Sequence, residues 1–293
     1  AVGLASLALF ALDRGHALLD FSRFHFGTLP AGDYPRLRLT FLNANLACNY
    51  LTVSLMLLFA ARQADWVGAP IFHLLLGPLL ITAAATISPG LGGVALAIGL
   101  WSWLLLRERR SAAARLLLAA GTITALAFVL AMAVTPLLHP TAPFLIQVPL
   151  IDSTLAPSGR LMIWIDAARN FAAEPFLGRG IGADSVAVRY LDPSGNLQHL
   201  SDAHNVFLSI AVQSGIVGLA ALLALIGHVL WRTLPLRLPA TPAGLVRLAA
   251  GLGLLNGLVY QGLGGSFEDS RHLWFALGLL LASSRIERRA TTS

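Results

Sequence analysis

Apolar residues in this chain fall into long runs and not into short alternations. The runs lie at about 39–60, 67–87, 91–106, 116–136, 205–230, 248–263 and 272–282. Most approach the roughly 20 residues an α-helix needs to cross ~30 Å of hydrocarbon. Those at 91–106 and 272–282 are short, and span only with help from flanking residues or local thinning of the bilayer. Residues 1–12 (AVGLASLALFAL) read as the tail of an earlier span, and with Ala1 in first position an N-terminally truncated chain is expected. A signal peptide is the weaker reading, because no basic stretch precedes the run and Asp13-Arg14 does not resemble a small-residue cleavage site. The pattern predicts an all-α, polytopic transmembrane protein of about 7–8 spans. It divides into N-terminal helices (1–136), a long polar segment (137–204) and C-terminal helices with a tail (205–293).

The 137–204 segment is long for a connector, and loops of this length are usually functional or disordered. Its composition is not that of disorder. "PSGRLMIWIDAARNFAAEPFLGRGIG" predicts a helix over 160–173, with Ser158 or Gly159 near its N-cap and Glu174-Pro175 ending it. At ~100° per residue, Leu161, Trp164, Ile165, Ala168 and Phe171 share one face, and Asp166, Arg169 and Asn170 the opposite arc. This amphipathic pattern predicts an interfacial helix lying on the membrane with Trp164 at headgroup level. Arg160 falls on the apolar side, where two readings stand: a stem that snorkels to headgroup phosphates, or a guanidinium for a specific anionic ligand. "GRGIG" (178–182) superficially resembles a nucleotide-binding glycine loop, but it follows Pro175 and not a buried strand, so a turn is expected there.

Composition agrees with the pattern: 56% of residues are hydrophobic and 12% charged, with mean hydropathy +0.74, far from a soluble domain. All 20 basic residues are arginine. Alternating the loops places 11 of them (62, 107, 109, 110, 115, 232, 237, 247, 285, 288 and 289) with only Asp65, Glu108 and Glu287 on one side, which the positive-inside rule makes cytoplasmic. The other side receives the polar segments 13–38 and 137–204. The high isoelectric point then reflects topology, and no nucleic-acid partner is expected. Cys48 is the single cysteine and lies in an expected span, so no intrachain disulfide is available. The eight histidines are scattered without ligand spacing; neither metal site nor cofactor is expected.

Polar residues collect at helix ends. In "LSDAHNVFLSIAVQSGIVGL", Ser201 or Asp202 can cap a helix beginning near Ala203, which puts His204 in its first turn at the outer interface. There the helix dipole favours a neutral ring able to accept a proton; a histidine bonded to headgroups or carbonyls is the alternative. Asp202 can orient that ring or cap the helix. Asn43, Asn45 and Asn49 lie in the outer half of their span and must face other helices or water. Gly253-x-x-x-Gly257 is expected to serve helix packing.

These residues carry a resemblance. "GRLMIWIDAARNFAAEPFLGRGIG" followed by "DAHNVFLSIAVQSGIVGL" resembles the signature region of the O-antigen ligase and polymerase superfamily of membrane glycosyltransferases. There an Arg and Trp on an external helix, here Arg160 and Trp164, precede a P-x-x-G-x-G turn. A His-Asn pair, here His204 and Asn205, then opens a span with G-x-x-G, here Gly215 and Gly218. "RLRLTFLNANLACNYL" is similar to the region where an asparagine, here Asn45, precedes a small-residue span. "EDSRHLWFALGLLLA" resembles the C-terminal Asp-x-Arg-His-x-x-Trp region through Asp269 and Arg271, with Trp274 one position closer. One departure is "TISPGLGG", with Pro89 where the family commonly has the arginine of Ser-Arg-Gly; Arg36, Arg38 and Arg271 are candidates to substitute for it.

The resemblance implies transfer of a glycan from an undecaprenyl pyrophosphate carrier to an acceptor hydroxyl, without a metal, outside the bacterial cytoplasmic membrane. It implies His204 as general base and Arg160, Arg36, Arg38, Asn45, Asn205 and Arg271 as substrate-binding residues, supported by Trp164, Asp202 and Asp269. The implied partners are a lipid-linked oligosaccharide or polysaccharide donor, a glycan, lipid A-core or protein hydroxyl acceptor, and membrane lipids. The alternative is a multi-pass transporter of a small anion or lipid-linked glycan. It would place paired ionisable residues near the midplane, where only His73 and His228 stand apart from the Cys48 thiol.

Overall fold

The computed structural model describes residues 36–108, 160–191, 197–234, 237–265 and 273–282, with isolated positions and short strands before and between them. The chain is mostly helical. Helix α1 runs Ala44–Gln63, α2 Ala69–Ala85, α3 Gly90–Glu108, α4 Arg160–Ala173, α5 Val206–Thr233, α6 Pro242–Leu263 and α7 Leu273–Ala282. Three of them, α1, α5 and α6, are long and apolar enough to cross a membrane; α2, the apolar part of α3 and α7 are shorter. The runs expected at 1–12 and 116–136 lie outside the described residues, save isolated positions.

Local chemistry sets the ends. The Asn43 side chain accepts from Leu46 N (2.9 Å) to cap α1, and Thr241 accepts from Gly244 N (3.1 Å) ahead of Pro242 to open α6. Inside α2, Pro78 has no amide hydrogen to donate. Eight short strands pair as antiparallel hairpins that the all-α reading does not foresee. They are β1 (Arg23–Phe24) with β4 (Arg36–Leu37), β2 (Gly27–Thr28) with β3 (Ala31–Gly32), β5 (Ile146–Val148) with β6 (Ser153–Leu155), and β7 (Val188–Leu191) with β8 (Leu197–Leu200). The β7–β8 register, Val188 opposite Leu200, delivers the chain to residue 201.

The main core joins α1, α3 and α6 around buried Trp101, Leu55, Met56, Leu248 and Leu252. Val53 meets the face of Gly253, so the glycine stripe of α6 admits close helix approach. A second cluster packs α5, α6 and α7 through Val229, Leu254, Leu277 and Leu280. Asn256 Nδ2 donates to Asn49 Oδ1 (3.1 Å), tying α6 to α1 in the buried interior. Asn205 Nδ2 donates to Gly262 O (2.8 Å). These ties bring the starts of α1, α3 and α5 and the end of α6 to one end of the bundle, away from Arg62 and Asp65.

Helix α4 differs from the amphipathic wheel drawn from sequence. Its covered face holds Ile163 and Ala167, packed with Val186, Ala203 and Val212, and joined by Trp164 and Phe171. Ile165 and Ala168, assigned to the apolar face, are exposed. Asp166 and Asn170, assigned to the polar arc, instead secure the returning chain: Asp166 Oδ2 accepts from Ala187 N (2.9 Å) and Asn170 Nδ2 donates to Ser185 O (3.0 Å). The inner face of the helix is therefore rotated, toward the side on which Asp166 and Asn170 bond the 185–187 backbone. Its buried apolar residues, Ile163 and Ala167, meet protein.

Helix α5 is broken. Gly215, at φ 63° and ψ −166°, interrupts it, and the turn after α4 fills the interruption. Arg179 N donates to Val212 O (2.8 Å), Gly180 N to Gln213 O (3.0 Å), Ile216 N to Pro175 O (2.8 Å) and Val217 N to Phe176 O (3.4 Å). Gln213 Oε1 also accepts from Gly182 N (3.0 Å). Backbone groups freed by the break thus find partners in the turn, as buried backbone requires. The segments touch too closely for side chains: a Cβ on Gly178 would lie 2.5 Å from Gln213 C, and one on Gly215 2.6 Å from Leu177 N.

Candidate functional site

The helix after His204 starts later than the sequence suggests. Asn205, not Ser201 or Asp202, is the N-cap, its Oδ1 accepting from Phe207 N (3.0 Å) and Leu208 N (3.2 Å). His204 has φ 48°, a left-handed conformation that no helical first turn contains, so its expected first-turn placement does not hold. Asparagine wins the cap because its short amide reaches both leading N–H groups.

Neighbours from three segments hold this histidine. Trp164 Nε1 of α4 donates to Ala203 O (3.2 Å), fixing the residue before it. Asp202 Oδ2 lies 3.7 Å from His204 Nδ1, and Asp202 Oδ1 accepts from the buried Ser209 Oγ (2.7 Å). Oδ2 is itself buried and has no hydrogen-bond partner among the described residues. An aspartate freed from capping is thereby fixed by a serine and turned toward the ring. Ser209 escaped the sequence reading; a serine one helical turn beyond the Asn205 cap is the only signal it gives.

A second polar cluster occupies the same end of the bundle. Arg36 is buried; its Nε donates to Thr86 O (2.8 Å) and its guanidinium also to Asn45 Oδ1. Ser88 Oγ donates to the same oxygen (3.0 Å) and accepts from Gly90 N (3.1 Å). Arg36 therefore reaches the turn between α2 and α3 in which Pro89 stands. Arg38 lies half-buried in the link between β4 and α1. Of the four non-glycine residues with positive φ among the described residues, Leu39, Ile87 and His204 lie at this end and Asp65 at the other. Strained backbone gathers at functional sites, and Ile87, being β-branched, is a marked outlier.

Arg160 begins α4, with its side chain outside the described part of the structure. Asp269 and Arg271 lie outside the described residues. Among the described residues no three of His, Cys, Asp and Glu come together in one cluster.

Three helices long and apolar enough to cross a membrane, with buried polar groups and His204 toward one end of the bundle, mark a membrane protein with a candidate site at that end. A protein-family model of the O-antigen ligase matches residues 71–223, more than half of the chain, and the chain belongs to that family. The matched stretch holds the Pro89 turn, α4, the turn at 175–182 and His204; Arg36, Asn45 and α6 lie beyond it. No curated protein matches the chain.

Proposed function

We propose that this protein transfers a glycan from an undecaprenyl pyrophosphate carrier to an acceptor hydroxyl, as an O-antigen ligase or polysaccharide polymerase does, with His204 as general base. The observation that carries the proposal is the clasp on His204: backbone fixed by Trp164 through Ala203, ring faced by an Asp202 that Ser209 holds. A base must be held in place before it can help, and with the aspartate on the Nδ1 side, Nε2 is the nitrogen assigned to take the proton. As the acceptor oxygen bonds to the anomeric carbon, the bond from that carbon to the pyrophosphate oxygen breaks. The hydroxyl proton passes to His204, and the carrier pyrophosphate departs with the electron pair.

Arginines stabilise the departing charge in place of a divalent metal. Arg160, Arg38 and Arg271 are assigned to the donor pyrophosphate. Arg36, joined to Thr86 O and Asn45, shapes the turn at Pro89 from behind. Asn205 serves by starting α5 and fastening it to α6, while Asp269 supports from the C-terminal region. The runs at 1–12 and 116–136 complete about 7–8 spans in the bacterial cytoplasmic membrane, with segment 137–204 and the site facing outward. The acceptor is a glycan, a lipid A-core or a protein hydroxyl.

Purified protein, a lipid-linked glycan and defined acceptors in the presence of a chelator test this. General-base help is worth roughly 10²–10⁴-fold, so His204→Gln, whose amide cannot take the proton at neutral pH, should lose that much transfer. Wild-type turnover by folded His204→Gln protein would show that the base lies elsewhere.

A further inference from the structure

The turn that enters the α5 break carries three large apolar side chains on its outside. Phe176, Leu177 and Ile181 are 73%, 75% and 91% exposed, and the exposed Arg179 sits among them. Nothing in the transfer chemistry uses these residues, and a loop in water gains nothing by presenting them together. We propose that residues 175–182 form a lipid-embedded fingertip: Phe176, Leu177 and Ile181 enter the hydrocarbon of the leaflet on the His204 side, and the Arg179 guanidinium meets its phosphates.

Depth along α5 carries the argument. The helix closes on exposed Trp231 and on Arg232, the residue types that mark a membrane–water interface. Counting back the roughly 20 residues that span the hydrocarbon at 1.5 Å each reaches about residue 212. That is where the turn docks, through Arg179 N on Val212 O. Immediately beyond, Ile216 and Val217 are exposed apolar residues of α5, so the fingertip continues the surface that this helix offers to lipid.

The direction of α4 agrees. Its Trp164 meets Ala203 just before α5, while the residues after its C-terminus meet 212–217. The helix thus descends beside α5 and delivers the turn toward the bilayer. Irregular backbone is tolerated at that depth where its polar groups find partners within the protein, and the α5 break supplies partners for Pro175 O, Phe176 O, Arg179 N, Gly180 N and Gly182 N. An arginine beside apolar tips suits anionic headgroups, the pairing used by membrane-surface segments.

The proposal stands apart from the catalytic reading and is tested without activity. Nitroxide labels are placed at Ile181→Cys and Leu177→Cys in the full chain, reconstituted in phosphatidylcholine–phosphatidylglycerol vesicles. Collisions with oxygen, which concentrates in lipid, are compared with those of a water-soluble nickel complex. Cys48 is buried, and the parent protein reports any label it takes. Labels at 177 and 181 should favour oxygen as strongly as a label at Val217→Cys, whereas one at the exposed Ala187→Cys should favour nickel. Nickel access at 181 equal to that at 187 would overturn the proposal. So would shielding of both tip labels from both reagents, which would place a partner protein or second copy there. Both tip positions are highly exposed, and Leu177→Cys serves if Ile181→Cys does not fold.

Discussion

Substituting Gly215 with alanine asks how much the break in α5 contributes to stability. At φ 63° and ψ −166° the backbone lies in a region essentially reserved for glycine, and a side chain there costs about 1–3 kcal/mol. The added Cβ would also overlap the Phe176 carbonyl and lie 2.6 Å from Leu177 N, so the turn must withdraw or the helix must straighten. Straightening restores two helical hydrogen bonds, Ile216 N to Val212 O and Val217 N to Gln213 O, in exchange for the four backbone bonds to the turn. At a net ~0.5–1.5 kcal/mol each, two lost bonds amount to about 1–3 kcal/mol, and separating α4 from Val212 adds to that. We expect Gly215→Ala to lose about 2–4 kcal/mol, a fall in melting temperature of roughly 4–12 °C for a chain of this size, read on purified protein in detergent. Gly227, in regular helix with nothing within 4 Å of an added Cβ, is the control: Gly227→Ala should be neutral or gain up to about 1 kcal/mol. Gly178→Ala attacks the same junction from the turn, so the double variant should cost clearly less than the sum of the singles. If Gly215→Ala melts with Gly227→Ala, the turn does not hold the break and the reasoning fails.

Arg36→Lys should destabilise by about 1–3 kcal/mol in the same melting assay, because an ammonium cannot reproduce the directed bonds to Thr86 O and Asn45 Oδ1. Gly93→Ala should cost about 1–3 kcal/mol through overpacking, since its Cβ would lie 2.9 Å from Asn256 Cα; an unchanged melt would mean that α3 and α6 are not in such close contact. Arg160→Lys should lose much of the transfer activity while keeping its charge, because only a guanidinium gives two directed bonds to phosphate. Near-parent turnover would return Arg160 to the snorkelling role.

Periodicity and helix punctuation made much of the fold readable. The helix at Arg160–Ala173 coincides with the stretch expected from the Glu174-Pro175 stop, and the other described helices lie over the expected apolar runs. What escaped was set by tertiary contacts. The α5 start was misplaced because several cap residues stand in series, and only the left-handed His204 decides for Asn205. The buried face of α4 was misdrawn because Asp166 and Asn170 look solvent-facing until the 185–187 backbone arrives to bond them. Gly215 was legible only as part of a G-x-x-G motif, since no local pattern shows that it breaks the helix and that another segment inserts beside it. Within the candidate site, the Asp202–His204 pairing was legible as a motif, but the Trp164–Ala203 contact, Ser209 and the approach of Arg36 to Thr86 depend on the fold.

The Asn49–Asn256 bond has a consequence for how the protein is made. Its partners are 207 residues apart in the chain. At synthesis rates of about 5–20 residues per second, Asn49 waits roughly 10–40 s before Asn256 is even polymerised. A span bearing an unsatisfied amide is poorly suited to free lipid during that delay. Helix α1 must therefore stay beside the insertion machinery, or keep water around its amide, until α6 arrives. Nascent chains stopped before residue 242 should crosslink to that machinery through α1, and chains that include α6 should be released from it.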